Sequence, residues 1–236
     1  MYVIGKTLID GFVAYFKKKG GKYEYFKRLV NCSIKSSEDI NFATNSVFNS
    51  GVPFQTGKQK YKDHVSSGYL KSISNKIWEY FNVKHKAGDT TTKKEFDELH
   101  EELCQLFLDE TKKLGKAYTY GNAQKLINMT FKYLACFQDY PAFAALFDYC
   151  HAPIDNISLK QFKGVGVPNI LKDGLTYKYS YRKRDCSWTQ LDKDAYLSLV
   201  EDYRNKIDSV DPNCSALYFD FYNWAPKGVK KTPVIP

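Results

Sequence analysis

The chain has 236 residues, 43% hydrophobic and 16% aromatic, with 35 Lys and Arg against 26 Asp and Glu for a formal net charge of +9. That apolar content is ample for a buried core and excludes disorder over most of the length. The positive excess points to a polyanionic partner, DNA, RNA or an anionic membrane, with nucleic acid favoured by charge and aromatics together, and with no run of about 18 uncharged apolar residues in the chain a helical membrane span is not expected.

The N-terminal segment MYVIGKTLIDGFVAYFKKKGGK places its charges after the apolar stretch, with Lys6 and Asp10 inside it, the reverse of the order in a signal peptide. Residues 6–18 and 22–31 read as two short helices split by the breaker Gly20-Gly21. Residues 36–63 are polar and mixed, with Gly51 to Phe54 marking a loop. The spacing of Tyr69, Ile73, Ile77, Tyr80 and Phe81 predicts a helix from about Val65 to Val83. Ala87 to Thr92 is a linker, and Gly88 to Thr92 is the candidate boundary between two lobes. The repeated Thr before KKEFDELHEELCQLFLDETKKL supplies N-cap candidates. Phe96, Leu99, Leu103, Leu106 and Phe107 form the buried stripe of that helix, which Gly115 ends.

After the connection KAYTYGN, a helix is predicted from about Asn122 to Phe137, and Pro141 permits a short one through Tyr149. The run His151 to Asp155 is a tight turn that sets Asp155 where an N-cap carboxylate sits. Residues 163–190, rich in Gly, Lys and Tyr, are irregular or a small hairpin. A last amphipathic helix covers Lys193 to Ile207. The aromatic run LYFDFYNW is helix or strand; periodicity does not decide. The whole pattern predicts an all-α fold, a two-lobed helical bundle with a central cleft and at most a minor β-hairpin.

Lys125, Asn128 and Lys132 fall at i, i+3 and i+7 and share one face of an otherwise apolar helix. A lysine buried there has a depressed pKa, and a neutral amine can attack an aldehyde-level carbon and form a Schiff base. The alternative is a solvated stripe from which long side chains reach water. Asp155 can cap a helix, or stabilise positive charge at a sugar carbon as a glycosidic bond breaks; the two roles are compatible. In Tyr177-Lys-Tyr-Ser-Tyr-Arg-Lys-Arg184, rings alternate with cations. In an extended segment Tyr177, Tyr179 and Tyr181 share a face opposite Lys178. Lys178, Arg182, Lys183 and Arg184 on phosphates with rings against bases is the usual physics of nucleic-acid contact. A solvent-exposed ladder of Tyr is the rival reading. Lys17 to Lys19 with Lys22 reads as a solvated helix end.

Six scattered cysteines, Cys32, Cys104, Cys136, Cys150, Cys186 and Cys214, contain no C-x-x-C pair and read as reduced thiols of a cytoplasmic protein. Cys150-His151 reads as structural, though His151 can line a pocket four residues before Asp155. The four histidines form no metal-ligand pattern, so no metal and no cofactor are expected. The chain carries no P-loop, no dinucleotide-binding glycine run and no G-x-S-x-G elbow.

A lysine-bearing helix followed some twenty to thirty residues on by Pro-x-Asp at a helix start resembles the helix-hairpin-helix DNA glycosylase superfamily, most nearly its archaeal 8-oxoguanine glycosylase branch. There the catalytic helix carries two lysines seven residues apart and ends in a Pro-x-Asp segment, as Lys125, Lys132 and Asp155 do here. The resemblance covers about a quarter of the chain. It implies Lys attack at the anomeric carbon with Asp assisting, and a hairpin over Gly115 to Gly121. The superfamily's Leu-Pro-Gly-x-Gly is replaced here by LGKAYTYGNAQK. FKGVGVPNI, Phe162 to Ile170, lies after the Asp and reads as a loop whose backbone N–H groups, with Lys163, can meet a phosphate.

The expectation is therefore a monomeric DNA glycosylase that binds duplex phosphates, flips out a damaged or modified base and excises it, with possible lyase activity. A modified base of viral DNA would make it an antiviral defence enzyme. Lys125 or Lys132 is the nucleophile. Asn128, His151, Trp188 and Trp224 line the base pocket. Without a reactive Lys, Asp155 activates water. The rivals are a non-catalytic helical nucleic-acid-binding protein and a regulatory or interaction module of a defence or mobile element.

Overall fold

A computed structural model describes residues 2–17, 26, 29–49, 68–88, 90–155 and 188–224. The described residues are all-helical, with no strand among them. Eight α-helices follow in order: α1 (Lys6–Lys17), α2 (Ser37–Asn49), α3 (Tyr69–Ala87), α4 (Lys93–Lys113), α5 (Tyr120–Leu134), α6 (Tyr140–Phe143), α7 (Lys193–Val210) and α8 (Ala216–Trp224). Short 3-10 turns cover Ala144–Phe147 and Trp188–Gln190.

Local chemistry fixes the helix ends. Thr92 accepts from the Glu95 amide while the Glu95 carboxylate accepts from the Thr92 amide at 2.8 Å, a reciprocal cap that starts α4. Gly88 and Gly115, with φ of 67° and 68°, end α3 and α4 in the left-handed region that side chains rarely enter. Asp192 caps α7 through the Ala195 amide at 2.8 Å. The aromatic run near the C-terminus resolves as helix α8.

One stretch departs from its sequence reading. Residues 37–49, within the segment read as polar and mixed, form α2. Its apolar positions Ile40, Ala43 and Val47 are fully buried, and Asp39 closes its start by accepting from the Ser36 amide at 2.9 Å. Asn, Thr and Ser dilute the periodic signal along this helix, yet Thr44 is itself buried and satisfied by the Ile40 carbonyl at 3.0 Å.

Helix α5 lies at the centre. It packs against α2, α4, α7 and the 188–190 turn, while α1 packs on α8 and α3 bridges α2 and α4. One cluster of buried apolar side chains runs through α1, α2, α3, α4, α5, α7 and α8, continuing past the expected boundary at 88–92.

Candidate active site

The start of α5 is set by a second reciprocal cap. The Thr119 hydroxyl accepts from the Asn122 backbone amide at 3.3 Å, and the Asn122 side-chain Oδ1 accepts from the Thr119 backbone amide at 3.2 Å. The next contact demands glycine. A Cβ on Gly121 would sit 2.0 Å from the Trp188 carbonyl oxygen, and the Gly121 amide donates to the Leu191 carbonyl at 2.9 Å. Surrounded in this way, every residue from Tyr120 to Leu134 is buried. The polar face of Lys125, Asn128 and Lys132 is therefore enclosed by protein and is not a solvated stripe.

Each lysine meets a carboxylate. Lys132 pairs with Asp220 of α8, side chains 1% and 2% exposed. Its ammonium also lies 4.3 Å and 5.0 Å from the ring centroids of Phe12 and Phe221. Burial pushes the Lys132 amine down and the Asp220 carboxyl up, and their mutual attraction opposes both shifts. Lys125 donates to Asp155 Oδ2 at 2.5 Å, across 30 residues of chain, with side chains 5% and 16% exposed. Lys125 and Asp155 are in contact, as expected, but as a nearly closed pair and not in an open cleft, and Asp155 is the more open of the two carboxylates.

A buried polar network holds the strap of residues 150–155 that delivers Asp155. Asp97 of α4 receives a two-pronged hydrogen bond from Arg204 of α7, at 2.8 and 2.9 Å. It also accepts from His151 Nε2 at 2.8 Å. With Nε2 the donor, His151 Nδ1 accepts from the Tyr196 hydroxyl at 2.7 Å. Burial pushes His151 down to about 4, against the pull of Asp97. Burial alone would raise the Asp97 carboxyl, but the hydrogen bonds from His151 and Arg204 hold it well below the usual range. Asn128 donates to the Tyr196 hydroxyl and to Gln124 Oε1, both at 2.9 Å. Gln124 in turn bonds the Ile154 peptide.

Both ring nitrogens of His151 and the amide nitrogen of Asn128 are thus engaged inside the protein. Trp188 is half-buried in its 3-10 turn, and Trp224 ends α8. Lys163, Lys178, Tyr179, Tyr181, Arg182, Lys183 and Arg184 lie outside the described residues, as does the helix start that Asp155 was expected to cap. A surface hollow beside Arg204, lined by Lys93, Asp148, Glu201, Asp208 and Ser215, includes neither Lys125 nor Asp155. Five participants were not singled out from sequence: Asp220, Gln124, Asp97, Tyr196 and Arg204. Asp220 carried a signal, being the lone charge in LYFDFYNW. The others look like ordinary helix-surface residues until the strap is seen.

An ammonium held on a carboxylate in a largely dry setting is strongly coupled. The carboxylate can take the amine's proton, and it can stabilise a cation that forms beside it. Among the described residues no three His, Cys, Asp or Glu side chains converge as metal ligands, and no described helix is long and apolar enough to cross a membrane. No known family model, no curated protein and no solved structure matches this chain.

Proposed function

We propose that this chain is a DNA glycosylase in which Lys125 and Asp155 form the reactive pair. The observation that carries the reading is the contact between the Lys125 amine and the Asp155 carboxylate, 2.5 Å apart and nearly closed to solvent. Isolated buried ion pairs are weak sources of stability, and apolar residues of the same volume serve as well or better. A pair placed there is a candidate for chemistry. The net charge of +9 supports a polyanionic partner.

In the proposed cycle the target nucleotide leaves the stack, at a cost of a few kcal/mol. The Lys125 ammonium passes a proton to Asp155, which hands it on to the departing base as the base's bond to C1′ breaks, so that Asp155 is ionised again and Lys125 carries a free lone pair. The Lys125 lone pair then forms the new C1′–N bond. The Asp155 carboxylate faces the positive charge that builds on the sugar. Opening of the sugar ring gives a Schiff base, which water hydrolyses or which allows strand cleavage. Lys132, enclosed between Phe12, Phe221 and Asp220, has a structural role in this scheme, and Lys125 is the nucleophile.

Borohydride trapping on duplexes carrying a panel of damaged and modified bases tests the proposal. The native protein should give a covalent adduct on at least one duplex, and Lys125→Ala should give none. Asp155→Asn keeps size and capping ability but removes the charge, so trapping should slow by roughly 10²–10³, as when one transition-state stabiliser is lost. Binding to the same duplex should be nearly unchanged. Excision by Asp155→Asn at the parental rate would leave the carboxylate a mere cap and sink the assignment.

A further inference from the structure

The residues on either side of the reactive contact are joined as well. Gln124 precedes Lys125 on α5, and Ile154 precedes Asp155 on the strap. The Gln124 side chain is fully buried. Its Nε2 donates to the Ile154 carbonyl at 2.8 Å, and its Oε1 accepts from the Ile154 amide at 3.2 Å. One side-chain amide therefore satisfies both backbone polar groups of a single buried residue, as a residue of a neighbouring β-strand would. The two remaining positions of the amide are also filled. Nε2 donates to the Gly121 carbonyl at 3.0 Å, and Oε1 accepts from Asn128 at 2.9 Å. One of the two Asn128 N–H groups is shared with the Ala152 carbonyl at 3.3 Å.

We propose that Gln124 is the positioning residue of the site: its amide clamps the Ile154 peptide to α5 and thereby holds the Asp155 carboxylate on the Lys125 amine. Two physical arguments favour glutamine for this task. An amide offers a donor and an acceptor in one plane, which matches the N–H and C=O of a single residue; carboxylates and amines offer one kind each. An uncharged clamp also leaves the charge balance between Lys125 and Asp155 undisturbed. Without the clamp, the buried Ile154 N–H and C=O lose their partner, which strongly favours reopening the strap toward water. A small displacement at Ile154 passes directly to Asp155, one residue on, and a contact of 2.5 Å tolerates little. The inference rests on the reading of Lys125 and Asp155 as a working pair, but it also makes a claim about the strap that requires no DNA.

The test uses Gln124→Met, which keeps length and loses all four hydrogen-bonding positions, beside Thr130→Val as a control. Thr130 is equally buried on α5 and gives its hydroxyl to the Leu126 carbonyl at 3.0 Å, away from the strap. The first readout is the rate of reductive methylation of Lys125 with formaldehyde and cyanoborohydride, followed by peptide mass spectrometry. Gln124→Met should expose the amine and raise that rate about tenfold, the factor equivalent to one net hydrogen bond. Thr130→Val should leave it unchanged. The second readout is borohydride trapping on a reactive duplex, where Gln124→Met should lower the single-turnover rate about tenfold or more with duplex affinity unchanged. A wild-type rate of Lys125 methylation in Gln124→Met overturns the proposal, and so does equal loosening in Thr130→Val. Native trapping that Gln124→Met leaves at full speed overturns it too. If the native protein traps no duplex, the glycosylase reading fails by itself and the methylation rates still decide the clamp. Should Gln124→Met not fold, hydrogen exchange of the Gln124 side-chain amide in the native protein decides: protection matching the Ile154 backbone amide supports the clamp, and exchange at the rate of an exposed glutamine refutes it.

Discussion

Replacing Lys132 by Met tests the division of labour between the two lysines. The change strips one partner from a pair whose side chains are 1% and 2% exposed, and Asp220 is left as a buried, unpaired carboxylate. Breaking such a pair costs about 3–5 kcal/mol. The cation–π contacts of Lys132 with Phe12 and Phe221 are lost as well, but a Met sulfur against the same rings returns about 0.3–1.5 kcal/mol. Burial therefore dominates, and the expected loss stays near 3–5 kcal/mol. For a chain of this size that is a fall in Tm of roughly 6–20 °C, readable by circular dichroism in thermal and urea unfolding. The variant's Asp220, already pushed up by burial in the native protein, should be raised further without its lysine. A raised carboxyl favours the folded state at low pH and is lost as pH rises, so the deficit against native should narrow on acidification. The double variant Lys132→Met/Asp220→Leu removes both charges and should regain native stability or exceed it. It should still trap DNA through Lys125. A single variant within about 1 kcal/mol of native would refute the enclosure of this pair and the reasoning built on it.

Three further outcomes are expected. His151 is neutral in the fold because burial pushes it down to about 4, whereas an unfolded histidine titrates near 6.5, so the unfolded chain binds the extra proton between those values. About 3 kcal/mol of stability should disappear as pH falls through that window, seen as a falling urea midpoint that flattens in His151→Gln. In Gly121→Ala, the gain in helix propensity of about 1 kcal/mol competes with a Cβ placed 2.0 Å from the Trp188 carbonyl oxygen. Overpacking of roughly 1–3 kcal/mol should win, so Tm should drop; a rise would mean that the 188–190 turn moves aside freely. Replacing Arg182, Lys183 and Arg184 by Ala should weaken DNA binding and flatten its salt dependence by up to about 0.9 log units per lost phosphate contact, and an unchanged slope would assign these cations to solvent.

The parts of the fold that were legible in the sequence are those where one local signal dominates. Thr92 with Glu95 marks the start of α4, Gly115 ends it, and the apolar stripe of Phe96, Leu103 and Phe107 is fully buried. Helix α2 was not legible because tertiary burial of Ile40, Ala43 and Val47, not a clean apolar period, makes it a helix. The start of α5 was read two residues late, since Asn122 looks like a first cap and is in fact the far half of a box begun by Thr119. At the site, the expectation that Lys125 and Asp155 meet came from the resemblance to the helix-hairpin-helix glycosylases and not from any local spacing; the contact is present. The partner of Lys132 was not legible, because Asp220 lies 88 residues away on a helix that periodicity could not distinguish from a strand. Nor was the Asp97–His151–Tyr196 chain, whose members come from three separate segments and meet only through packing.

The two pairs on α5 differ in a way that matters for function. Both lysines stand on a helix with no exposed face, so each needs a carboxylate to remain there charged. Asp220 reaches Lys132 from α8, the Lys132 ammonium lies over the rings of Phe12 and Phe221, and the group ties α1, α5 and α8 together. That is a closed arrangement with no surface left for a substrate. Asp155 reaches Lys125 from the last described residue of a strap, and that strap is anchored by uncharged groups, Gln124, Asn128 and the His151–Tyr196 pair, with Asp97 and Arg204 behind them. Local rules are broken twice on one helix, and the breaches are resolved differently. One ion pair is buried on both sides. The other has a carboxylate that is 16% exposed and sits at the edge of a rigid polar frame. Rigid framing of a partly open charge is what preorganised chemistry needs and what simple stability does not, which supports the proposal of Lys125 as the reactive residue of α5.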